Sequence, residues 1–265
     1  LEFTGNKHDP YSDIGLVSAE GGKDIINLTN SGYMSGYPHF ALDGNAILFT
    51  TERYGMRAHA SWGSLNDAML VFLNQDAYDK YCLSKEDYEL RKELEKEQKK
   101  SAGKDTPQDK NKDKKKKDDK KDSNADEKDD QPKDIVVELK GVVRLTPNSS
   151  DMGSTIISKD GETLYYLAAF EGGYDLWKMN LRKKETRLLH KMDAGWADMQ
   201  LDKDGKSLFL LGSRKMQKMD TSSDALTPIT FQVDAKMDLA AEREYMFDHV
   251  YRQQQKRFYN TSMHG

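Results

Sequence analysis

Apolar and polar residues alternate over short stretches on either side of three Asp-Gly pairs, Asp43-Gly44, Asp160-Gly161 and Asp204-Gly205. Around the first pair, Phe40 and Leu42 precede and Ile47 and Phe49 follow, at a period of two. That period places side chains on one face of a strand. Asp-Gly between two such stretches marks a hairpin, because a tight turn needs residues that tolerate positive φ. The pattern repeats in register. Three positions before each Asp stand Phe40, Ile157 and Leu201; four after stand Ile47, Leu164 and Leu208; six after stand Phe49, Tyr166 and Leu210. Fifteen before each Asp stands a leucine, Leu28, Leu145 or Leu189, followed by Thr29, Thr146 and His190 respectively. The last two pairs are 44 residues apart and the first two are 117 apart.

Two of the units add a third apolar stretch, Ala68 to Leu73 and Asp175 to Met179, and a fourth that ends at the leucine, Val142 to Leu145 and Thr186 to Leu189. Four short strands in a unit of this length are the repeat of a β-propeller blade. An ordinary antiparallel sandwich with chance Asp-Gly turns is the competing architecture. Matching offsets at five positions in three copies argue against it. The expected fold is therefore all-β, made of four-stranded antiparallel propeller blades. Three copies do not close a ring of four to eight blades, so further blades are expected upstream or from another chain.

The repeat is broken twice. Between residues 101 and 133 there are 11 Lys, 10 acidic residues and only two alanines as apolar side chains. Such a segment has too little to bury to offset the entropy of ordering, about 1–2 kcal/mol per residue for the backbone, and is expected to be a disordered linker. The interspersed acids nearly cancel the lysines, which weighs against a basic arm for nucleic acid. Before it, Ser84 to Lys100 reads as a surface helix: Ser84 and Asp87 fit a capping box, Glu and Lys interleave, and Tyr88, Leu90 and Leu94 are too few for a deep core position. After Phe231 the period changes again. Asp238 to Asn260 holds no Gly or Pro, Asp238 can cap, and Leu239, Met246, Phe247, Val250 and Tyr251 form a helical apolar stripe. The expected organisation is propeller blades over 1–80, a helical then disordered charged insertion over 81–133, further blades over 134–235, and the start of a different, helical module over 236–265.

Composition narrows the function classes. The 265 residues carry a net charge of −4, and 32% of them are charged. That mild acidity speaks against a dedicated nucleic-acid binder. Mean hydropathy is −0.87, and no apolar run approaches the roughly 18 residues of a membrane-spanning helix. The single cysteine, Cys82, excludes an intrachain disulfide framework and a multi-cysteine zinc site.

Candidate chemistry is sparse. The six histidines, His8, His39, His59, His190, His249 and His264, lie in no nucleophile-elbow or metalloprotease context; His59 near Ser61 is the one close pairing, and a loop role suits it better than a triad. No phosphate-cradling glycine loop occurs, and Gly172-Gly173 reads as a turn. Asp202 and Asp204 fit an exposed turn better than a cation site. Asn27, Asn148 and Asn260 begin glycosylation-type triplets, which arise easily by chance. Trp62, Trp177 and Trp196 fit core or inter-blade packing better than a peptide groove. No catalytic, cofactor-binding or metal-binding residue is assigned, and no cofactor is expected.

The repeat with its Leu-Thr, Asp-Gly and Gly172-Gly173-Tyr174-Asp175-Leu176-Trp177 pieces resembles the propeller repeats of TolB-like proteins and tricorn proteases. Three features narrow the resemblance: Arg53-Tyr54-Gly55-Met56-Arg57-Ala58-His59-Ala60-Ser61-Trp62-Gly63-Ser64 leading into Asp67 to Leu73; the charged insertion with re-entry at Arg144-Leu145-Thr146-Pro147; and Arg243 to Gly265, with Arg257-Phe258-Tyr259-Asn260 and Met263-His264-Gly265. Together these resemble a tricorn-type serine peptidase over most of the chain outside the insertion. The resemblance implies a large protein whose propellers guide oligopeptides or unfolded chains to a downstream catalytic core, with a PDZ-like domain between. It implies that the catalytic serine and histidine lie beyond Met263-His264-Gly265, that His264 is not catalytic, and that these residues alone are catalytically silent. The implied partners are a peptide or unfolded polypeptide substrate, the rest of the parent chain and further copies in a homo-oligomer; charge and hydropathy leave no nucleic acid and no membrane span among the expected partners. Cytoplasmic and periplasmic placement both stay open. A non-enzymatic TolB-like propeller binding a protein partner, and the propeller cap of a prolyl-oligopeptidase-type enzyme, are the rival readings. The helical start after Phe231 disfavours the first, and the second requires a Gly-x-Ser-x-Gly elbow downstream.

Overall fold

The computed structural model describes residues 2–3, 11–22, 24–57, 63–102, 141–260 and 262. They form two compact units, Leu1–Pro228 and Ile229–Gly265. The first unit is a row of antiparallel sheets. Strands β1 (Glu2–Phe3), β2 (Asp13–Leu16) and β3 (Ile26–Asn27) make a three-stranded sheet. Three four-stranded sheets follow in which spatial order equals chain order: β4 (Ser35–Ala41), β5 (Ala46–Thr51), β6 (Asp67–Phe72) and β7 (Val142–Arg144); β8 (Asp151–Ile157), β9 (Thr163–Ala169), β10 (Tyr174–Asn180) and β11 (Glu185–Ala194); β12 (Ala197–Leu201), β13 (Ser207–Gly212), β14 (Lys215–Asp220) and β15 (Leu226–Ile229). In the third sheet the sequence pattern marked only the hairpin. β14 carries its apolar side chains at Met216 and Met219, three apart among lysines, so it shows no period of two.

Each Asp-Gly pair joins the first two strands of its sheet, and the three turns sit at equivalent corners. A Cβ placed on Gly161 would lie 2.7 Å from the Leu42 side chain, and one on Gly205 would lie 2.9 Å from Lys159 Cβ. The turns share one bond, from the glycine N–H back to Ala41, Ser158 or Asp202 O. Their backbones differ. In the first, Leu42 and Asp43 take positive φ (53° and 54°) as well as Gly44 (82°); in the other two only the glycine does, at 73° and 74°.

The second strands explain how the sheets stack. Side chains four and six residues after each Asp pack on the preceding sheet; those five and seven after face the following one. Ile47 and Phe49 join Ile14 and Leu28. Leu48 faces Leu164 and Tyr166 of the next sheet. Tyr165 and Leu167 face Leu208 and Leu210 of the one after. Strands buried on both faces lose the polar alternation, which is why β5 and β6 are buried at every position. On the third sheet the corresponding Phe209 and Leu211 are each 37% exposed.

The Leu-Thr pairs have a shared geometry. The Leu28 and Leu145 N–H groups donate to the Ile14 and Ala68 carbonyls, 2.8 and 2.9 Å away. Ile14 and Ala68 N–H donate in return to the Thr29 and Thr146 hydroxyls. Each hydroxyl donates to the aspartate that opens the neighbouring strand, β2 or β6: Thr29 to Asp13 at 2.6 Å and Thr146 to Asp67 at 2.9 Å. Asp67 is fully buried and accepts in addition from Arg144 Nε and Nη2 and from Ser149 Oγ. Where the threonine is replaced by His190, Asp175 accepts instead from the Met192 and Asp193 N–H groups.

The insertion leaves the first sheet between β6 and β7. It opens with a helix that the sequence pattern did not reveal, α1 (Gln75–Cys82), capped by the Asn74 side chain on the Ala77 N–H. The expected helix is α2 (Lys85–Ala102), with the Ser84 hydroxyl accepting from the Asp87 N–H and donating to the Asp87 carboxylate. Both helices dock. Tyr78 and Tyr81 pack on Phe72. Arg182, after β10, donates from Nη1 to the Lys80 and Tyr81 carbonyls at the end of α1, and its guanidinium lies 3.9 Å from the Tyr88 ring centre. Lys92 pairs with Glu162. Tyr88 is therefore buried, against the surface position expected for it, because Arg182 of the neighbouring sheet covers its ring. The linker lies almost entirely outside the described residues.

The second unit holds α3 (Leu239–Arg257). Asp238 caps it as expected, accepting from the Ala240 and Ala241 N–H groups. Its apolar residues Met246, Phe247, Val250 and Tyr251 are all more than half exposed.

Candidate functional site

Every four-stranded sheet presents two different ends. The turn end carries the Asp-Gly corners and the inserted helices. It encloses a half-open cavity of about 370 Å³ lined by both signs of charge, with Asp43, Asp76 and Asp160 against Lys80, Arg91, Lys159 and Arg182. Lys80 and Arg91 share Glu95. Buried Arg182 Nε has no partner among the described residues, but it offers nothing to a ligand, because no solvent reaches it.

The opposite, loop end collects the connecting residues 52–57, 63–66, 170–173 and 213–214 and the crossovers between sheets. It is aromatic: Tyr37, Tyr54, Phe170 and Trp196 are all exposed there, with Met56 at 76% exposure. Trp196 thus departs from the packing expected of it. It sits in the two-residue crossover between β11 and β12 and is 59% exposed. Trp177 packs as expected, stacked on Tyr166 at 6.4 Å and edge-on to Phe170 at 5.0 Å.

Bonds among backbone and side chains stiffen this end. Leu65 N–H donates to Met56 O, and Arg57 bridges Ser64. Gly55 has no room for a side chain, since a Cβ there would stand 1.7 Å from the Leu65 carbonyl oxygen. The first strands meet side by side: His39 Nε2 lies 2.6 Å from Thr155 O, and Ser154 Oγ donates to Asp198. Tyr174 donates to Asp151 at 2.9 Å. Burial, reinforced by that carboxylate, pushes the Tyr174 phenol up to about 12, so it stays a donor at neutral pH and cannot act as a base.

The candidate chemistry disperses accordingly. His39 and His190 each hold a backbone carbonyl, the latter that of Asp224 at 3.0 Å. His249 lies beside Tyr245. His8, His59, Ser61, Trp62 and His264 lie outside the described residues. Asp202 serves its own turn. Burial alone would raise its carboxyl, but bonds from Ser207, Lys206 and Gly205 together hold it below the usual carboxylate range. Among the described residues no group of three or more His, Cys, Asp or Glu is placed to hold a metal. The exposed aromatics were not separable in the sequence, because exposure within a connecting loop leaves no periodic trace.

No family model matches the chain, and no curated protein matches it significantly. Among solved structures the chain is similar to tricorn protease, with a TM-score of 0.59 and 11% identity over 98% of this chain and 24% of that one. It is also similar to TolB from Acinetobacter baumannii (TM-score 0.47, 11% identity, 83% of this chain and 38% of that one) and to the acylaminoacyl peptidase of Pyrococcus horikoshii (0.38, 8%, 74% and 25%). The sheets are β-propeller blades. At such identities the likeness to tricorn protease establishes the fold alone. The chain spans about a quarter of that protein and well under half of TolB. In propeller terms, β4, β8 and β12 are the first strands of successive blades, and the aromatic end is the one where blade loops and crossovers meet.

Proposed function

We propose that this chain is the blade region of a larger tricorn-type serine peptidase, in which it guides oligopeptides or unfolded chains toward a catalytic core elsewhere in the parent protein. The observation that carries this reading is the rigid aromatic surface at the loop end of the blades, Tyr37, Tyr54, Phe170 and Trp196 beside the meeting first strands. Aromatic faces bind extended chains of varied sequence because they contribute contact area at little conformational cost. The chemistry would be acyl transfer at a serine of the parent protein outside these residues. The rest of the parent chain, or further copies in an oligomer, would cover Phe209 and Leu211 of the last blade and the apolar residues of α3.

Peptide binding tests the reading. Fluorescent unfolded peptides should bind the intact chain, and Trp196→Ala should weaken binding several-fold while leaving the melting temperature nearly unchanged. Stoichiometric labelling of these 265 residues by a serine-reactive fluorophosphonate would contradict the assignment of the nucleophile to another part of the parent protein.

A further inference from the structure

We propose that the 53–57 loop selects acidic stretches of an unfolded polypeptide, an inference that rests on the peptide-guiding reading above and names the substrate chemistry at one part of that surface. The loop leaves β5 at Thr51 and returns to β6 at Asp67. Arg53, Tyr54, Met56 and Arg57 are all exposed on it. Two guanidiniums lie over the Tyr54 ring, Arg53 at 5.5 Å and Arg144 at 5.1 Å from its centre. Arg144 is committed to buried Asp67 through Nε and Nη2. Arg53 and Arg57 make no ion pair among the described residues. With Arg144 and Asp67 paired, the segment 52–66 holds two arginines against one acid, half-buried Glu52, in a chain whose total charge is −4.

Three physical points favour an acidic occupant. Contact with the Tyr54 face orients the Arg53 guanidinium before any ligand arrives, which reduces the entropy lost on binding. The close approach of Gly55 to Leu65 and the backbone pairing of Arg57 with Ser64 hold the backbone that carries Arg53 and Arg57. A guanidinium presents a planar fork of donors that matches a carboxylate, and Tyr54 and Met56 between the arginines add apolar contact. An extended chain with carboxylates interspersed among apolar side chains satisfies all of these groups. A basic chain would meet like charge.

The test compares fluorescent peptides of equal length and apolar content on the intact chain. The first is acidic with an amidated C-terminus, the second basic and amidated, and the third neutral with a free C-terminus. The acidic peptide should bind tightest, and added salt should weaken it. Arg53→Gln with Arg57→Gln should cost it roughly three- to tenfold in affinity, as expected for two exposed ion pairs, with the melting temperature held. Arg53→Lys with Arg57→Lys should retain part of the affinity. Equal binding of acidic and basic peptides, an unaffected double Gln variant, or binding that needs only the free C-terminal carboxylate would each overturn the inference while leaving the peptide-guiding reading intact. Failure of every peptide to bind would overturn both.

Discussion

The two ends of the same strands face opposite demands. At the turn end, every charged side chain with a stated role serves the protein itself: Arg182 caps α1 and covers Tyr88, Lys92 holds Glu162, and Asp160 and Asp202 tie their own turns. At the loop end, the buried Asp67 network holds the backbone still while Met56 and Trp196 stay more than half exposed. Polar groups spent on fixing the chain do not recognise a partner, and apolar groups left in water do not stabilise the fold. The contrast separates fastening from display.

The difference can be broken at the loop end first. Asp67→Ala should leave the Arg144 guanidinium, Thr146 and Ser149 without their acceptor, at about 2–3 kcal/mol, because the buried Thr146 hydroxyl stays unpaired while the part-exposed Arg144 regains water. Chemical denaturation reads that loss, and peptide binding should fall with it. If stability barely changes, Asp67 does not hold this end. At the turn end, Arg182→Ala should cost about 2 kcal/mol through two lost bonds and the Tyr88 contact. Its signature is faster proteolysis within 75–102 with peptide binding unchanged; a parallel loss of binding would mean that the two ends are coupled.

The smallest effect is on pH dependence. Bonds from the Ser222 side chain, the Ser223 backbone and their neighbours hold the Asp220 carboxyl down to about 2. A carboxyl whose pKa is depressed by folding stabilises the fold above its unfolded value and loses that contribution as pH falls through the folded one. Stability should therefore decline between about pH 4 and pH 2, and Asp220→Asn should flatten that limb slightly in an acid titration followed by circular dichroism. Asp13 acts in the same direction: burial opposes its ionisation, but bonds from Thr29, Asn27 and Ser31 outweigh burial.

The repeat was legible because its strongest signals are local. Asp-Gly turns and period-two apolar pairs need only neighbours in sequence, and all three turns fell where expected. The Leu-Thr pairs were visible as text, but their reason was not. Thr146 answers to Asp67 across 79 residues that include the whole insertion. α1 escaped notice because its eight residues carry one aromatic face that matters only when Phe72 and Arg182 meet it. The aromatic surface escaped for the converse reason: nothing in the sequence distinguishes an exposed Trp196 from a packed Trp177 when both lie near blade strands.

The amino-acid sequence alone determined the unit: four strands, a glycine corner, a leucine-threonine close, two interruptions of changed period, and the family resemblance that its motifs carry. Turn propensity and alternation are properties of a few consecutive residues, so they survive without a fold. Only the tertiary structure decided which side chains become walls between blades and which become surface. It made Tyr165 and Tyr166 face opposite neighbouring sheets, covered Tyr88 with an arginine from the next blade, and left Trp196 bare. Burial depends on what arrives from far along the chain, and no local pattern specifies that.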